Sequence, residues 1–343
     1  MKTMKALGQT KFGGTEVLHE ATLPVPEAQG SDLLVRVKAV GINPADSMVR
    51  QNVADFGKLQ NSELVLTGWD CAGVVEDVGP QADGRFRKGD EVFFAGNIAR
   101  RGCNSEYTVV DSRIVGRKPA SLSFIEAAAL PLTALTVWEG MVEGCGIPLG
   151  PQPGTPKRAL IIGGAGGVGS IGIQILSRVC GLKVVATASR PESVEFCRKM
   201  GAHVVIDHSK DLKAQLTANG IDAVDYVLNT INPDINFDTL TALIAPMGKI
   251  CSLHPITKPV DLASLYVRRI SVVYELMFTR PMLNVQPEMQ GAILDHVSAL
   301  VDAGTLRTTL VTQKPWTVAG LAEAHQHSQS GKAIGKIVLG PVG

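Results

Sequence analysis

The sequence predicts an α/β protein that combines a mainly β domain with a doubly wound parallel sheet. The first observation is the segment LIIGGAGGVGSIGIQ at 160–174, in which an apolar strand, a glycine-dense turn and a helix start follow one another. The second is the alternation of strand-type and helix-type segments from 158 to 280, which is typical of a parallel sheet. The third is a series of short β-type runs before residue 130, separated by glycine, proline and aspartate.

The composition is that of an ordinary globular protein. Its 343 residues suit two domains, and the 45% hydrophobic content, 19% charged content and net charge of +1 favour neither nucleic acid nor an anionic membrane as partner. The longest apolar stretch, 127–138, is interrupted by Pro131 and is too short to span a bilayer; the N-terminus lacks the apolar core of a signal peptide. The six cysteines are far apart and form no C-x-x-C pair. We therefore expect a cytoplasmic protein with scattered, reduced thiols.

The β domain is expected over residues 1–130. Its strand-type runs lie at 33–42, 72–78, 91–95 and 106–110. Ser123 and Glu126 have the spacing of a capping box and precede an alanine-rich helix.

The doubly wound part is expected over residues 131–280. Its candidate strands lie at 158–162, 183–187, 204–206, 223–228, 248–253 and 270–274, and its helices at 169–180, 191–200, 212–218 and 237–244. Residues 281–343 add amphipathic helices at 287–303 and 318–328 and a closing strand at 335–339. We expect this last segment to return to the β domain and complete it.

The glycine turn predicts a dinucleotide site. Gly164, Gly166 and Gly169 have the G-x-G-x-x-G spacing, in which the glycines provide a tight turn, room beside a pyrophosphate, and close packing of helix on strand. Gly167 and Val168 stand where the helix begins, so their N–H groups and the positive helix end would face the anion. The alternative is a glycine-rich turn that serves packing alone.

The end of the second strand favours NADP(H) over NAD(H). NAD enzymes of this fold place a carboxylate there for the ribose hydroxyls, whereas this chain has Ala188, followed by Ser189 and Arg190. A hydroxyl and a guanidinium suit a 2′-phosphate. The alternative is structural, because Ser189 and Glu192 also have capping-box spacing.

Four motifs punctuate the chain: NPAD at 43–46, GWDCAG at 68–73, LPLTALT at 130–136 and AGGVG at 165–169. Together they resemble the medium-chain dehydrogenase/reductase superfamily, in its quinone oxidoreductase branch. YELMFTR at 274–280 adds a likeness to the zinc-type alcohol dehydrogenase-like proteins. The resemblance covers essentially the whole chain. It implies a GroES-like catalytic domain at 1–130, completed by 281–343, and a Rossmann dinucleotide-binding domain at 131–280.

The same resemblance leads us to predict that no metal is bound. Zinc members of the superfamily hold catalytic zinc with two cysteines and one histidine, and the matching motifs here carry Asn43, Trp69 and Leu132. Asp70 cannot hold a catalytic zinc alone. Of the four-cysteine structural zinc loop, only Cys103 lies in the corresponding region.

Five residues are candidates for the active site, each with a structural alternative. Asn43 could donate to a carbonyl oxygen or a nicotinamide ribose hydroxyl, or form an Asx turn before a proline. Trp69 could wall the substrate or pack in the core. Thr133 and Thr136 correspond to a family segment that backs the nicotinamide, or they cap a helix. His254, after a parallel strand, could donate a proton or be merely solvated.

Three further expectations concern charged and polar side chains. Asp46 and Arg50 are spaced i, i+4, which favours a structural ion pair on a helix. Many quinone reductases of the branch place a tyrosine two residues after that aspartate; this chain has Met48, which leaves the acid unidentified. His325 and His327 fall on the late helix and are expected at the surface.

The leading functional hypothesis is an NADPH-dependent, metal-independent reductase that transfers hydride to a quinone or an α,β-unsaturated carbonyl compound. One alternative is an enoyl-thioester reductase, although no clear basic groove for a carrier phosphate is visible. Another is a non-catalytic, crystallin-like NADPH-binding protein. The strongly β-type run at 270–278 leads us to expect a homodimer that pairs at this edge.

Overall fold

The computed structural model describes residues 2–343, which divide into two compact units. The first, here called the β unit, comprises residues 2–135 and 278–343, and the second, the parallel-sheet unit, is Thr136–Met277. The expected boundaries were 130 and 280. The first boundary lies inside a helix, Pro131–Val137, instead of before it.

The first segment of the β unit is built mainly from strands. These are β1 Thr3–Gln9, β2 His19–Pro24, β3 Asp32–Ile42, β4 Val65–Leu66, β5 Asp70–Val78, β6 Glu91–Phe94, β7 Tyr107–Asp111 and β8 Val115–Arg117. The helices are α1 Pro44–Gln51, α2 Phe124–Ala127 and α3 Pro131–Val137. The Ser123 capping box is confirmed, because its hydroxyl accepts from the Glu126 N–H while the Glu126 carboxylate accepts from the Ser123 N–H.

The parallel-sheet unit alternates strands and helices. Its strands are β9 Arg158–Ile162, β10 Lys183–Thr187, β11 Val204–Ile206, β12 Val224–Asn229, β13 Ile244–Ser252 and β14 Ser271–Tyr274. Its helices are α4 Gly167–Gln174, α5 Pro191–Met200, α6 Leu212–Ala218, α7 Phe237–Leu243 and α8 Leu262–Arg268, with π-helical turns at Trp138–Gly144 and Ile175–Val179. All strand pairs are parallel, in the order β11-β10-β9-β12-β13-β14. This is the doubly wound order in which ligands bind at the carboxyl ends of the central strands.

The C-terminal segment completes the β unit. It contains α9 Thr279–Leu283, α10 Glu288–Asp302, β15 Leu310–Lys314, α11 Val318–Gln329 and β16 Lys336–Leu339. β16 pairs antiparallel with β3, in a register that places Ile337 opposite Ile42. The larger sheet runs β15-β16-β3-β5-β6-β8, with β7 also on β3, and a smaller sheet runs β2-β1-β4. The α/β fold class is therefore confirmed.

The apolar segment around Pro131 is longer than expected. Among residues 2–343, one helical run, Phe124–Gly144, has the length and composition of a membrane span. Of its most apolar window, 83% is buried inside the protein, as in the core helix of a globular protein.

Candidate active site

The glycine turn after β9 is built as a cradle. Gly163 has φ +75°, so the left-handed position lies one residue before the expected Gly164. A Cβ at Gly164 would lie 2.7 Å from the Ala186 Cβ, and one at Gly169 would lie 2.2 Å from the Gly163 carbonyl oxygen. A Cβ at Gly166 would meet only that carbonyl, at 3.4 Å. Two glycines thus serve packing, while Gly166 leaves open space at the N-cap of α4. The doubled glycine at 163–164 was the sequence signal for Gly163.

The residues around this cradle fit a dinucleotide phosphate. α4 begins at Gly167, consistent with the expected start near Val168, and the turn at 163–166 joins it to the carboxyl end of the central strand β9. The first amides of a helix have no partner within the helix, so those of Gly167 and Val168 can donate to an anion. The turn is fixed from β10, because the Gly163 N–H donates to the Thr187 hydroxyl at 3.0 Å.

The end of β10 presents a hydroxyl and a guanidinium. Ala188 is buried, Ser189 is exposed and Arg190 is half-buried. The alternative in which Ser189 caps the next helix is wrong, because the N-cap of α5 is Arg190 and it has no side-chain cap. The Arg190 Nε lies 3.4 Å from Oε1 of the Glu192 carboxylate.

A buried polar cluster, here called the Lys336 cluster, occupies the β unit. The Lys336 ammonium donates to Asp70 Oδ2 at 2.7 Å, to Asn43 Oδ1 at 2.5 Å and to the Ile42 carbonyl at 2.7 Å. The Asn43 Nδ2 donates to Asp70 Oδ2 at 2.8 Å, and the Leu132 N–H donates to Asp70 Oδ1 at 2.6 Å. Sequence reasoning missed Lys336. Its only signal was a charged residue inside the apolar strand GKIVLG.

The Lys336 cluster does not fit zinc. Within residues 2–343 no three His, Cys, Asp or Glu side chains lie together as a metal site would require. Both Asp70 oxygens already accept hydrogen bonds, and a lysine ammonium lies 2.7 Å from one of them. A dication would be repelled by that ammonium and would find an amide in place of a thiolate.

Asp46 does not pair with Arg50, so that expectation is wrong. The Asp46 carboxylate accepts from the backbone N–H groups of Asn43 and Gly68, both at 2.6 Å. Burial raises its pKa to about 7, against the lowering effect of these two donors. Arg50 instead donates from Nε to the Nδ1 of His325 at 3.1 Å and from its terminal nitrogens to backbone and side-chain oxygens.

His325 is not a surface residue. It has no exposed surface, and burial, followed by the charge of Arg50, lowers its pKa to about 3. The imidazole is therefore neutral and accepts from Arg50. His327 is half-buried. The position of His325 on α11 could not reveal this, because its partner comes from α1.

Trp69 is packed in the β unit with 1% of its surface exposed. Its indole N–H donates to the Asn97 carbonyl at 3.1 Å, and its ring meets Phe278 edge-on, with centroids 6.1 Å apart. It also borders a small cavity shared with Phe94 and Cys103. Trp69 therefore packs in the core, and its role as a wall of the substrate site remains a prediction.

Two of the remaining candidates, Thr133 and Thr136, lie on helix α3, and the third, His254, follows strand β13. Thr133 and Thr136 are both buried, and the Thr133 hydroxyl donates at 3.2 Å to the carbonyl of Leu130, the residue before the helix. His254 follows β13 and is half-buried; burial lowers its pKa, partly offset by a hydrogen bond with the Thr230 backbone. Its imidazole is therefore neutral near pH 7.

The family models and relatives that match this chain are alcohol dehydrogenases, alcohol dehydrogenase-like proteins and a related oxidoreductase. The alcohol dehydrogenase GroES-like domain matches residues 29–120, and the zinc-binding dehydrogenase family matches residues 200–339. The chain is 37% identical to a zinc-type alcohol dehydrogenase-like protein of Staphylococcus aureus (strain Mu50 / ATCC 700699) over 94% of both chains. It is 28% identical to the chloroplastic NADPH-dependent alkenal/one oxidoreductase of Arabidopsis thaliana, over 99% of this chain and 80% of that protein.

A solved structure matches over the full length. It is a protein from Rhizobium etli CFN 42, provisionally described as a zinc-dependent alcohol dehydrogenase, which is 43% identical with a TM-score of 0.92. The match covers 100% of this chain and 99% of that one.

Proposed function

Because this chain belongs to the medium-chain dehydrogenase/reductase superfamily, we propose that it is an NADPH-dependent, metal-independent reductase of α,β-unsaturated carbonyl compounds or quinones. It is an oxidoreductase of that superfamily. Our proposal concerns its coenzyme, the class of its acceptor and the absence of a metal.

The observation that carries this proposal is the Lys336 cluster. Oxidation of an alcohol needs a group that polarises the hydroxyl, which zinc supplies in the zinc members of the superfamily. The resemblance matches Asn43 to a zinc-ligand position, and here its amide oxygen accepts from the Lys336 ammonium, which also lies 2.7 Å from Asp70 Oδ2. An enone or quinone is already electron-poor, and its developing oxyanion needs only hydrogen-bond donors. A set of residues that does not suit a Lewis acid therefore favours conjugated acceptors.

Reduced nicotinamide, when bound, supplies the hydride. The amides at the start of α4 would hold its pyrophosphate beside Gly166, where no side chain fills the space. Ser189 and Arg190 would hold the 2′-phosphate, in competition with Glu192. The NADPH dependence of the Arabidopsis relative, as its name states it, supports this choice.

On the acceptor side, the cluster determines what Asn43 can do. Its Oδ1 accepts from Lys336 and one Nδ2 proton goes to Asp70, which leaves a single amide N–H for a carbonyl oxygen or a ribose hydroxyl. His254 would act as a neutral hydrogen-bond donor instead of a charged acid, so the final proton would come from solvent. Thr133 and Thr136 would back the nicotinamide from α3.

Steady-state oxidation of NADPH and NADH with a panel of quinones, enones and enoyl-CoA thioesters tests the proposal. We expect turnover with enones or quinones, a preference for NADPH, and no loss of activity after dialysis against a chelator. Turnover only with thioesters would favour an enoyl-thioester reductase. Tight NADPH binding without any turnover would favour a binding protein, and stoichiometric zinc with chelator-sensitive activity would contradict the proposal.

The coenzyme preference is tested by Arg190→Gln. Loss of a charge-assisted hydrogen bond to the 2′-phosphate should raise the Kd for NADPH about 10- to 100-fold and leave the Kd for NADH unchanged. Titration calorimetry or nicotinamide fluorescence measures both constants. Arg198→Gln, an exposed position on the same helix, is the matched control. Equal Kd values for NADPH in the wild type and Arg190→Gln would show that Arg190 does not bind the phosphate.

A further inference from the structure

Four of the six cysteines lie in two pairs, contrary to the expectation that all six are scattered. All six are free and buried, but the Cys145 thiol lies beside that of Cys251, and the Cys71 thiol beside that of Cys103. The first pair lies in the parallel-sheet unit and the second in the β unit. Their surroundings differ in charge.

Close packing of a helix on the sheet creates the Cys145–Cys251 contact. A Cβ at Gly140 would lie 2.7 Å from the Cys251 Sγ, and one at Gly144 would lie 2.8 Å from the Val273 side chain. These glycines are four residues apart, so one bare face of the π-helical turn rests on β13 and β14. The Cys145 N–H donates to the Gly140 carbonyl at 3.0 Å, which places Cys145 at the same contact.

A lysine ammonium adjoins this dithiol. Lys249 and Cys251 are two residues apart on β13 and so share a face of the sheet. The Lys249 Nζ lies 3.5 Å from the Cβ position of Gly146, next to Cys145. In the part of the chain that the structure describes, Lys249 has no salt bridge to a carboxylate.

These neighbours make Cys145 the more acidic thiol of the pair. The interaction with Cys251, helped by Lys249, lowers the Cys145 pKa despite burial. The interaction with Cys145, burial and the nearby Glu275 carboxylate together raise the pKa of Cys251. Burial raises the pKa of Cys71, with a further contribution from Asp70. Burial also raises the pKa of Cys180 to about 11 and of Cys197 to about 12.

Cys145 lies just beneath the surface. Its neighbours Gly144 and Gly146 are exposed, although the Cys145 side chain is buried. Cys145 is therefore flanked on both sides by exposed glycine backbone.

We propose that Cys145 and Cys251 form a redox-active dithiol that hydrogen peroxide or a similar hydroperoxide converts to an intramolecular disulfide, while Cys71 and Cys103 stay reduced. The Cys145 thiolate attacks a peroxide oxygen and the O–O bond breaks, which gives a sulfenic acid and, after protonation, one water. The Cys251 sulfur then attacks the Cys145 sulfur and the S–O bond breaks. The Cys251 proton leaves with the hydroxyl as a second water. The two thiols lose two electrons, which reduce one peroxide.

Non-reducing peptide mapping of the full-length protein tests this. Reduced protein is treated with a small molar excess of hydrogen peroxide, quenched with catalase, denatured and alkylated. We expect a Cys145–Cys251 cross-linked peptide and four alkylated cysteines, with all six recovered after dithiothreitol. Six alkylated thiols after peroxide, or a Cys71–Cys103 link formed first, would overturn the proposal. The wild type decides this without any variant.

Variants then separate the two roles. In Cys251→Ser the sulfenic acid at Cys145 should persist and react with dimedone, while Cys71→Ser should form the disulfide at the wild-type rate. Lys249→Met should slow disulfide formation about tenfold by removing the cation near the thiolate. Lys183→Met, an exposed lysine on β10, is the control. An unchanged rate in a folded Lys249→Met protein would exclude the lysine from the site.

Discussion

Lys336 determines the hydrogen bonding of the Asn43 and Asp70 side chains. It places a positive charge in the interior of the β unit, 2% exposed, where it neutralises Asp70 and holds Asn43. A buried charge of this kind is tolerated because its hydrogen bonds are satisfied by a carboxylate, an amide oxygen and a backbone carbonyl. The same bonds leave Asn43 with one free donor.

Removing Lys336 should therefore destabilise the fold. Lys336→Met leaves the buried Asp70 carboxylate without its counter-charge, and we expect a loss of about 3–5 kcal/mol in the free energy of unfolding. Urea unfolding measures it, with Lys11→Met, an exposed position, as the control. The double variant Lys336→Met/Asp70→Asn should recover part of the loss. A Lys336→Met protein as stable as the control would show that the ion pair is dispensable.

His325 predicts a pH dependence of stability. The pKa of His325 is about 3 in the fold against an ordinary 6.5. Between these two values the imidazole is protonated in the unfolded chain and neutral in the folded protein. The stability lost on acidification should approach about 1.4 kcal/mol per pH unit below pH 6.5. The stability advantage of the wild type over His325→Gln should therefore shrink from pH 7 to pH 4. Asp46 titrates in both proteins and cancels, and a pH-independent difference would contradict a buried neutral His325.

At the scale of elements, the turn between β9 and α4 contains one glycine that packs against the backbone and another that leaves space for a ligand. Gly169 has no room for a methyl group, whereas Gly166, at φ −74°, has both room and an ordinary backbone conformation. The two positions therefore form a matched pair for substitution.

Gly166→Ala should fold with near-wild-type stability but bind NADPH about tenfold more weakly or worse, because its methyl group enters the space left for the phosphate. Gly169→Ala should lose about 1–3 kcal/mol of stability, because its Cβ meets a backbone oxygen. Thermal unfolding and NADPH titration of both variants check this. Wild-type affinity in Gly166→Ala would place the pyrophosphate elsewhere.

At the scale of the whole molecule, the free edge of the parallel sheet supports our proposal of a homodimer. β14 ends the six-stranded sheet and pairs with β13 alone among the described strands. Tyr274 and Leu276, in and next to this strand, are exposed apolar residues. An open, apolar strand edge invites a second copy to extend the sheet.

Proline at the outward side of this edge should dissociate the dimer. The Glu275 N–H donates inward to the Ser252 carbonyl, so by alternation the Val273 N–H also points inward and the Val272 N–H outward. Val272→Pro removes only an outward donor. Size-exclusion chromatography with light scattering should show a wild-type dimer and a folded Val272→Pro monomer, with Val273→Pro damaging the sheet itself. A monomeric wild type would contradict the proposal.

The sequence alone determined the fold class and the glycine turn after β9. Glycine spacing, strand–helix alternation and the Ser123 capping box depend on residues close together in the chain, and the strands at 158–162 and 183–187 and the helix at 191–200 were predicted to the residue. The short strands β1 and β2 were missed, because they pair mainly with each other and lack a strong apolar pattern of their own.

Only the tertiary structure decided what surrounds Asn43. Lys336 reaches Asn43 and Asp70 across 293 and 266 positions, and Arg50 reaches His325 across 275. These contacts depend on the register of β16 on β3 and on the packing of α11 against α1, which no local pattern encodes. The local sequence therefore specified where a coenzyme phosphate could lie, and long-range pairing placed the Lys336 ammonium against Asn43 and Asp70.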